Sequence, residues 1–234
     1  MEPTGLIFAA LDCDLDAIEA WNRWYDLEHT PMNVCLDGVM LSRRYVATPR
    51  LHELRIAVPG SPFDGGRSTF LTTYVLAGDP QVAFADMSEE LPRLYDEGRM
   101  TFPAAKKAVR EGDILSGEHA QGRPGLQLRR RDVPFVSHDG VVVVQHQDPD
   151  GRLAAVVELE GVAGAWRLQS RRRPGTYVDM YFVEGDPGEA ALAIRAGAPH
   201  RGEVMVDAPY LLIHPLHYPW AEELRSSDLL ATVA

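Results

Sequence analysis

The segment Tyr74-Val-Leu-Ala-Gly-Asp-Pro80 returns as Tyr181-Phe-Val-Glu-Gly-Asp-Pro187, and each copy ends an apolar run and precedes an alanine-rich helical pattern. An internal repeat constrains a fold strongly, because both copies must form the same supersecondary unit and then bury the face that unit leaves open. Weaker matches run in the same order upstream. Leu36-Asp-Gly-Val39 answers Leu159-Glu-Gly-Val162, and the strand after Gly5 answers the strand after Gly140. From the N-terminal pair onward the offsets are 135, 123 and 107 residues. Copy two is therefore shorter by about 12 residues between its first two strands and by about 16 before its third. The first loss removes most of the helix carrying Asn22 to Pro31. The second shortens the Pro/Gly-rich loop from Thr48 to Ser68.

Hydrophobic periodicity orders copy one as a strand (Leu6 to Leu11), a helix (Leu15 to Thr30), strands at Met40 to Ala47 and Thr69 to Ala77, and a helix (Gln81 to Gly98). A last strand falls near Ile114 to His119 or Leu126 to Arg130. Asp14 is the expected N-cap of the first helix and Pro31 its stop. Copy two repeats the order with a stunted first helix around Arg152 to Glu158. This succession is βαββαβ, the ferredoxin-like unit, whose helices cover one sheet face only. The expected fold is α+β: two ferredoxin-like repeats closing an intramolecular α+β barrel around a cavity. The expected boundaries are 1–128 for the first repeat, 129–138 for a linker and 139–234 for a degenerate second repeat.

The 234 residues are 45% hydrophobic and 24% charged, an ordinary globular composition. A net charge of −11 disfavours nucleic acid and anionic membrane surfaces. Arg129 to Arg131 reads as a solvated linker. No apolar stretch approaches a membrane span and no basic leader precedes the first strand, so the expected location is cytoplasmic. Cys13 and Cys35 are too few for a disulfide framework. No phosphate-loop, dinucleotide, serine-hydrolase or zinc-protease motif occurs, and His214 with His217 lacks a third ligand, so neither a metal nor a cofactor is expected.

The chemistry-bearing stretch is Asn22-Arg-Trp-Tyr-Asp-Leu-Glu-His-Thr-Pro31. With Ile18 at zero and 100° per residue, Trp21, Asn22, Tyr25 and His29 share an inward arc, while Glu19, Arg23 and Asp26 are placed opposite. Inward polar groups need partners or a pocket. His29 is a candidate general acid/base that Glu28 or Asp26 would orient; alternatively it caps the helix end. Tyr25 and Asn22 either stabilise an oxyanion or fix the helix on the sheet. Trp24 either walls an aromatic pocket or packs. Glu28 is either a partner or solvated. Arg43 and Arg44 project to opposite sides of their strand, with Tyr45 next in line, and an inward arginine would suit an enolate or carboxylate.

The βαββαβ order, the pattern Asn22-x-Trp24-Tyr25-x-x-Glu28-His29-x-Pro31, Gly38-Val39 and the strand Ser42-Arg43-Arg44-Tyr45 together resemble the dimeric α+β barrel superfamily, which includes polyketide cyclases, EthD-like proteins and cofactor-independent monooxygenases. The turn here, Asp37-Gly38-Val39, lacks that group's proline. The resemblance implies catalytic roles for His29, Tyr25, Glu28 and Asn22, and substrate contacts from Trp24, Arg43, Arg44 and Tyr45. It also implies a small apolar carbonyl or phenolic substrate, with cyclisation, isomerisation, dehydration or decarboxylation as the chemistry. A non-catalytic binding or structural protein of the same fold is the alternative, and haem or oxygen-dependent monooxygenase chemistry ranks below both. The chain is expected as a monomer or homodimer.

Overall fold

The computed structural model describes residues 1–150, 152–200 and 202–231. Copy one contains β1 (Pro3–Cys13), α1 (Ile18–Trp24), a π-helical turn (Tyr25–His29), α2 (Thr30–Val34) and β2 (Val39–Val46). It continues with α3 (Pro49–Glu53), β3 (Ile56–Ala57), β4 (Phe70–Ala77), α4 (Pro80–Asp96) and β5 (Lys107–Gly122). Copy two contains β6 (Gly140–His146), α5 (Leu153–Val156), β7 (Val162–Ser170), β8 (Tyr177–Val183), α6 (Pro187–Gly197) and β9 (Val204–Leu212). Two short helices, α7 (Ala221–Arg225) and α8 (Asp228–Ala231), follow.

The strand order β2-β4-β1-β5-β7-β8-β6-β9 closes because β9 also pairs with β2, and β3 adds to the rest of β9. Each repeat is a ferredoxin-like sheet, and the two close one α+β barrel. The seams differ. β5 and β7 pair from Leu115 opposite Ser170 to Gly122 opposite Gly164. β2 and β9 meet only at Tyr45 and Val46, and Ile213 adds a backbone bond to Arg44.

All three offsets hold in three dimensions. Gly5 and Gly140 each lie against a helix-starting proline, Pro80 and Pro187. Gly38 and Gly161 both adopt positive φ, and each carbonyl accepts from the third strand, at Ala77 and Glu184. Asp79 and Asp186 cap α4 and α6 through their side chains. A β-bulge interrupts β2 after Val39 and β7 after Val162.

Inward residues of all eight barrel strands form one core: Leu6, Phe8, Ala10, Tyr45, Leu71, Val75, Leu115, Val141, Val143, Trp166, Leu168, Val178, Met180, Phe182, Val206, Ala208 and Tyr210. The expectation of an open chamber therefore fails, because these inward side chains fill the barrel. Other differences are local. The final strand of copy one is a single long β5, with bulges at Arg110 opposite β1 and at Glu118 opposite β7. Pro31 does not stop the helix but opens α2, where it needs no amide partner. Asp14 precedes a short 3-10 turn and makes no capping bond. Arg129 to Arg131 are exposed, as expected, whereas Val133 and Pro134 further along the 129–138 segment are buried.

A methyl group at Gly5 would press on the Leu115 carbonyl and the Pro80 ring, whereas one at Gly112 would meet nothing within 4 Å. Gly5→Ala is expected to cost about 3 kcal/mol in denaturant unfolding, and Gly112→Ala less than about 0.5 kcal/mol. Equal effects would refute the close approach.

Candidate functional site

The polar groups converge on the outer face of copy one, between α1 and strands β2 and β4. β2 alternates, so Tyr45 and Arg43 face the barrel interior and Arg44 faces α1. Arg44 is fully buried; its Nη2 donates to Asn22 Oδ1 at 2.7 Å, and Nη1 reaches Asp26 Oδ1 at 3.4 Å. Its guanidinium lies 4.0 Å over the Tyr25 ring. Asn22 in turn donates to the Ile18 carbonyl.

Asp26, grouped above with the outward residues, has a side chain only 6% exposed. Eight steps of 100° from Ile18 bring it to about 80°, near Asn22 at about 40°, so it belongs at the edge of the inward arc. Asp26 Oδ2 accepts from the Leu216 amide and the Tyr218 hydroxyl, tying the C-terminal segment to the layer.

Aromatic rings seal the layer. His29 stacks on Trp24 at 4.5 Å and meets Tyr25 edge-on at 4.8 Å, and Phe102 packs against both tryptophans. Lys107 Nζ lies 5.0 Å over Trp24. Neither Glu28 nor Asp26 orients His29: Glu28 is exposed and accepts from Thr101, and the neighbour of the imidazole is the Asn33 amide. Burial, then Lys107 and Arg44, push His29 down to about 3, so it is neutral at physiological pH. Burial lowers the Arg44 and Lys107 pKa values and raises those of Tyr25 and Tyr74.

The layer is also under-satisfied. Trp21 Nε1, Trp24 Nε1, Thr30 Oγ1, Ser42 Oγ, Arg44 Nε, Thr72 Oγ1 and Tyr74 Oη are buried without hydrogen-bond partners. The Thr72 and Ser42 hydroxyls lie beside Tyr25 and Tyr74, yet make no bond of normal geometry. Sequence reasoning missed Ser42, Thr72, Tyr74, Phe102, Lys107 and Tyr218. The parity of Arg44 would have found the first three, since they share its sheet face.

The expected site residues thus divide. Asn22, Trp24, Tyr25, His29 and Arg44 come together. Arg43 and Tyr45 form a separate interior group around His138, with Tyr45 Oη 3.1 Å from its Nε2 and Arg43 donating to the Val136 and Phe135 carbonyls. Glu28 belongs to neither. His138 is thus held by both Arg43 and Tyr45.

Among the described residues one group has metal-ligand composition: His146, Asp179 and His200, whose ligand atoms lie within 4.8 Å of one another. Arg167 already occupies both Asp179 oxygens at 2.8 Å, and His146 Nε2 lies 3.1 Å from the same carboxylate. The carboxylate is thereby neutralised by the protein itself.

No family model matches the chain, and no curated protein matches it. Among solved structures, it is similar to a protein of Fusobacterium nucleatum subsp. nucleatum provisionally named a monooxygenase, with 9% identity, TM-score 0.51, and 92% of this chain covering 94% of that one. It is also similar to an anthrone oxidase-like protein, with 13% identity, TM-score 0.50, and 90% covering 92%. These likenesses show the fold: an α+β barrel of the dimeric kind, here closed within one chain. Among the described residues no helix is long and apolar enough to cross a membrane.

Because folded His29 takes a proton only near pH 3 while the unfolded imidazole takes one near 6.5, the unfolded state binds more protons between these values. Stability therefore falls as pH drops through this window, with a His29 share of about 2 kcal/mol at pH 5 relative to pH 7. His29→Phe, which keeps the stack, is expected to flatten that part of the stability–pH curve. An unchanged slope would place His29 in solvent.

Proposed function

We propose that the chain is a small-molecule enzyme whose binding layer lies between α1 and the outer face of β2 and β4, and that it acts on a small phenolic or enolisable carbonyl compound. One observation carries this reading: the Arg44 guanidinium is buried beside a set of unpartnered hydroxyls, with its one carboxylate contact at 3.4 Å. A buried cation with spare donor capacity binds a substrate oxygen more tightly as that oxygen gains negative charge. Arg44 therefore favours the phenolate or enolate over the neutral form. Tyr25 and Tyr74, kept protonated by burial, are donors to the same oxygen. His29, neutral and edge-on to the Tyr25 ring, is the proton acceptor, and Trp24 and Phe102 supply the apolar wall.

The anion formed is the shared intermediate of isomerisation, cyclisation and decarboxylation, and it is also the species that dioxygen oxidises. The two neighbours named for oxidation share only the fold with this chain, so the residues and not the names support the first step. A non-catalytic reading draws on the closed aromatic seal over the layer.

The test is turnover of a panel of phenols and 1,3-dicarbonyl compounds, followed by product chromatography and oxygen uptake. Arg44→Met and Tyr25→Phe are then compared with wild type in activity and melting. Arg44→Met is expected to lose about 100-fold or more in kcat/KM, and Tyr25→Phe about tenfold. Failure of the folded wild type to turn over or bind any panel compound would exclude the reading.

A further inference from the structure

The two repeats provide an internal comparison for Arg44. Across the ladder Arg44 of β2 stands opposite Thr72 of β4, and in the same register Arg167 of β7 stands opposite Asp179 of β8. Both arginines are buried, both face the helices, and each lies over an aromatic ring, Tyr25 or Tyr177. In copy two, Asp179 receives Arg167 in a two-pronged grip: Nε to Oδ1 and Nη2 to Oδ2, both 2.8 Å. The Tyr181 hydroxyl donates to the same carboxylate at 2.8 Å. In copy one the residue equivalent to Tyr181 is Tyr74, whose hydroxyl has no partner.

Arg167 and Tyr181, which serve the Asp179 carboxylate, thus have counterparts in copy one, whereas the carboxylate does not, and the position of its third neighbour, His146, is held by Leu11. Arg44 Nε is unpartnered where Arg167 Nε is bonded. Thr72, close to aspartate in size, brings no charge, and its hydroxyl is also unpartnered. Asn22 and Asp26 engage the two terminal nitrogens, but Asp26 is shared with Leu216 and Tyr218 and reaches Arg44 only at 3.4 Å.

We propose that the ligand of this layer supplies the missing group: a planar anion whose two oxygens share one charge, seated beside Thr72 as the Asp179 carboxylate is seated beside Arg167. Arg44 Nε and Nη2 hold the two oxygens, and the Tyr74 hydroxyl donates to one of them. An aromatic carboxylate and the enolate of a 1,3-dicarbonyl compound share this chemistry. The inference rests on the reading that the Arg44 layer is the binding site, and it narrows the substrate class.

The experiment is calorimetric titration of the full chain with 2-hydroxybenzoate and, buffered to its enolate form, with benzoylacetone. Binding of 2-hydroxybenzoate alone identifies the carboxylate source, and of benzoylacetone alone the dicarbonyl source. Thr72→Asp, which places copy two's carboxylate beside Arg44, is expected to weaken binding by about tenfold or more while raising the melting temperature. Thr72→Asn, which enters the same seat without the charge, is expected to weaken binding less than Thr72→Asp does. Should Thr72→Asp fail to fold, Arg44→Lys serves, since it keeps the charge, loses the two-pronged edge and is expected to weaken binding by about tenfold. Wild-type affinity in Thr72→Asp or in Arg44→Lys overturns the proposal, as does absence of binding by both probes. Turnover of panel phenols that neither anion inhibits removes this inference and leaves the acid/base reading standing. Anion binding without turnover of any panel compound removes catalysis and leaves the seat.

Discussion

A four-stranded sheet with helices on one side presents a second apolar side, and in this chain the duplicate repeat covers it. Each fully buried Leu, Val, Phe or Met side chain on those inner faces contributes about 1.5–3 kcal/mol, so sheet-on-sheet closure is the interaction that fixes everything else. It fixes the seams too. β5 and β7 pair extensively, β2 and β9 briefly, and the remaining edge of β9 is taken by β3. The long loop of copy one thereby becomes structural: Arg55 donates to the carbonyls of Phe63, Arg67 and Ser68, and Tyr210 of β9 donates to that of Ser68.

Filling the barrel moves the polar chemistry to the outer layers, where the repeats diverge. Their strands keep the same register and the same bulge, but the first helix of copy one is long and that of copy two is a single turn. Copy two closes its outer layer with strand residues, Arg167, Tyr181 and His146, that all meet the Asp179 carboxylate, although Arg152 and His200 beside them keep unpartnered nitrogens. Copy one draws Asn22 and Asp26 from the helix and leaves hydroxyls unbonded, at a cost of about 1–3 kcal/mol for each buried group.

The duplication was legible because its markers are geometric requirements. Gly78 and Gly185 both need positive φ, the aspartates after them cap helices, and the prolines that follow press on Gly5 and Gly140. The motif-bearing helix was legible from its unusual inward residues, and most of them do meet. The filled barrel was not, because which residues of each strand point inward depends on register, and register depends on bulges such as the one after Val39. The same parity hid the separation of Arg43 from Arg44. Asp26 escaped because it was grouped with the outward residues although a 100° step leaves it at about 80° from Ile18, near Asn22, and Glu28 was grouped with His29 by adjacency alone.

The inward position of Asp26 has a consequence for the whole layer, because one carboxylate serves both Arg44 and the segment containing Leu216 and Tyr218. Leu216 is a non-glycine residue at φ 60°, a conformation that persists only where surrounding contacts impose it, and its amide bond to Asp26 is such a contact. Arg44 and Tyr218 therefore draw on the same negative charge. Any second anion reaching Arg44 relieves its demand on Asp26 and repels that carboxylate, so occupancy of the layer and seating of the C-terminal segment are coupled electrostatically through a single side chain.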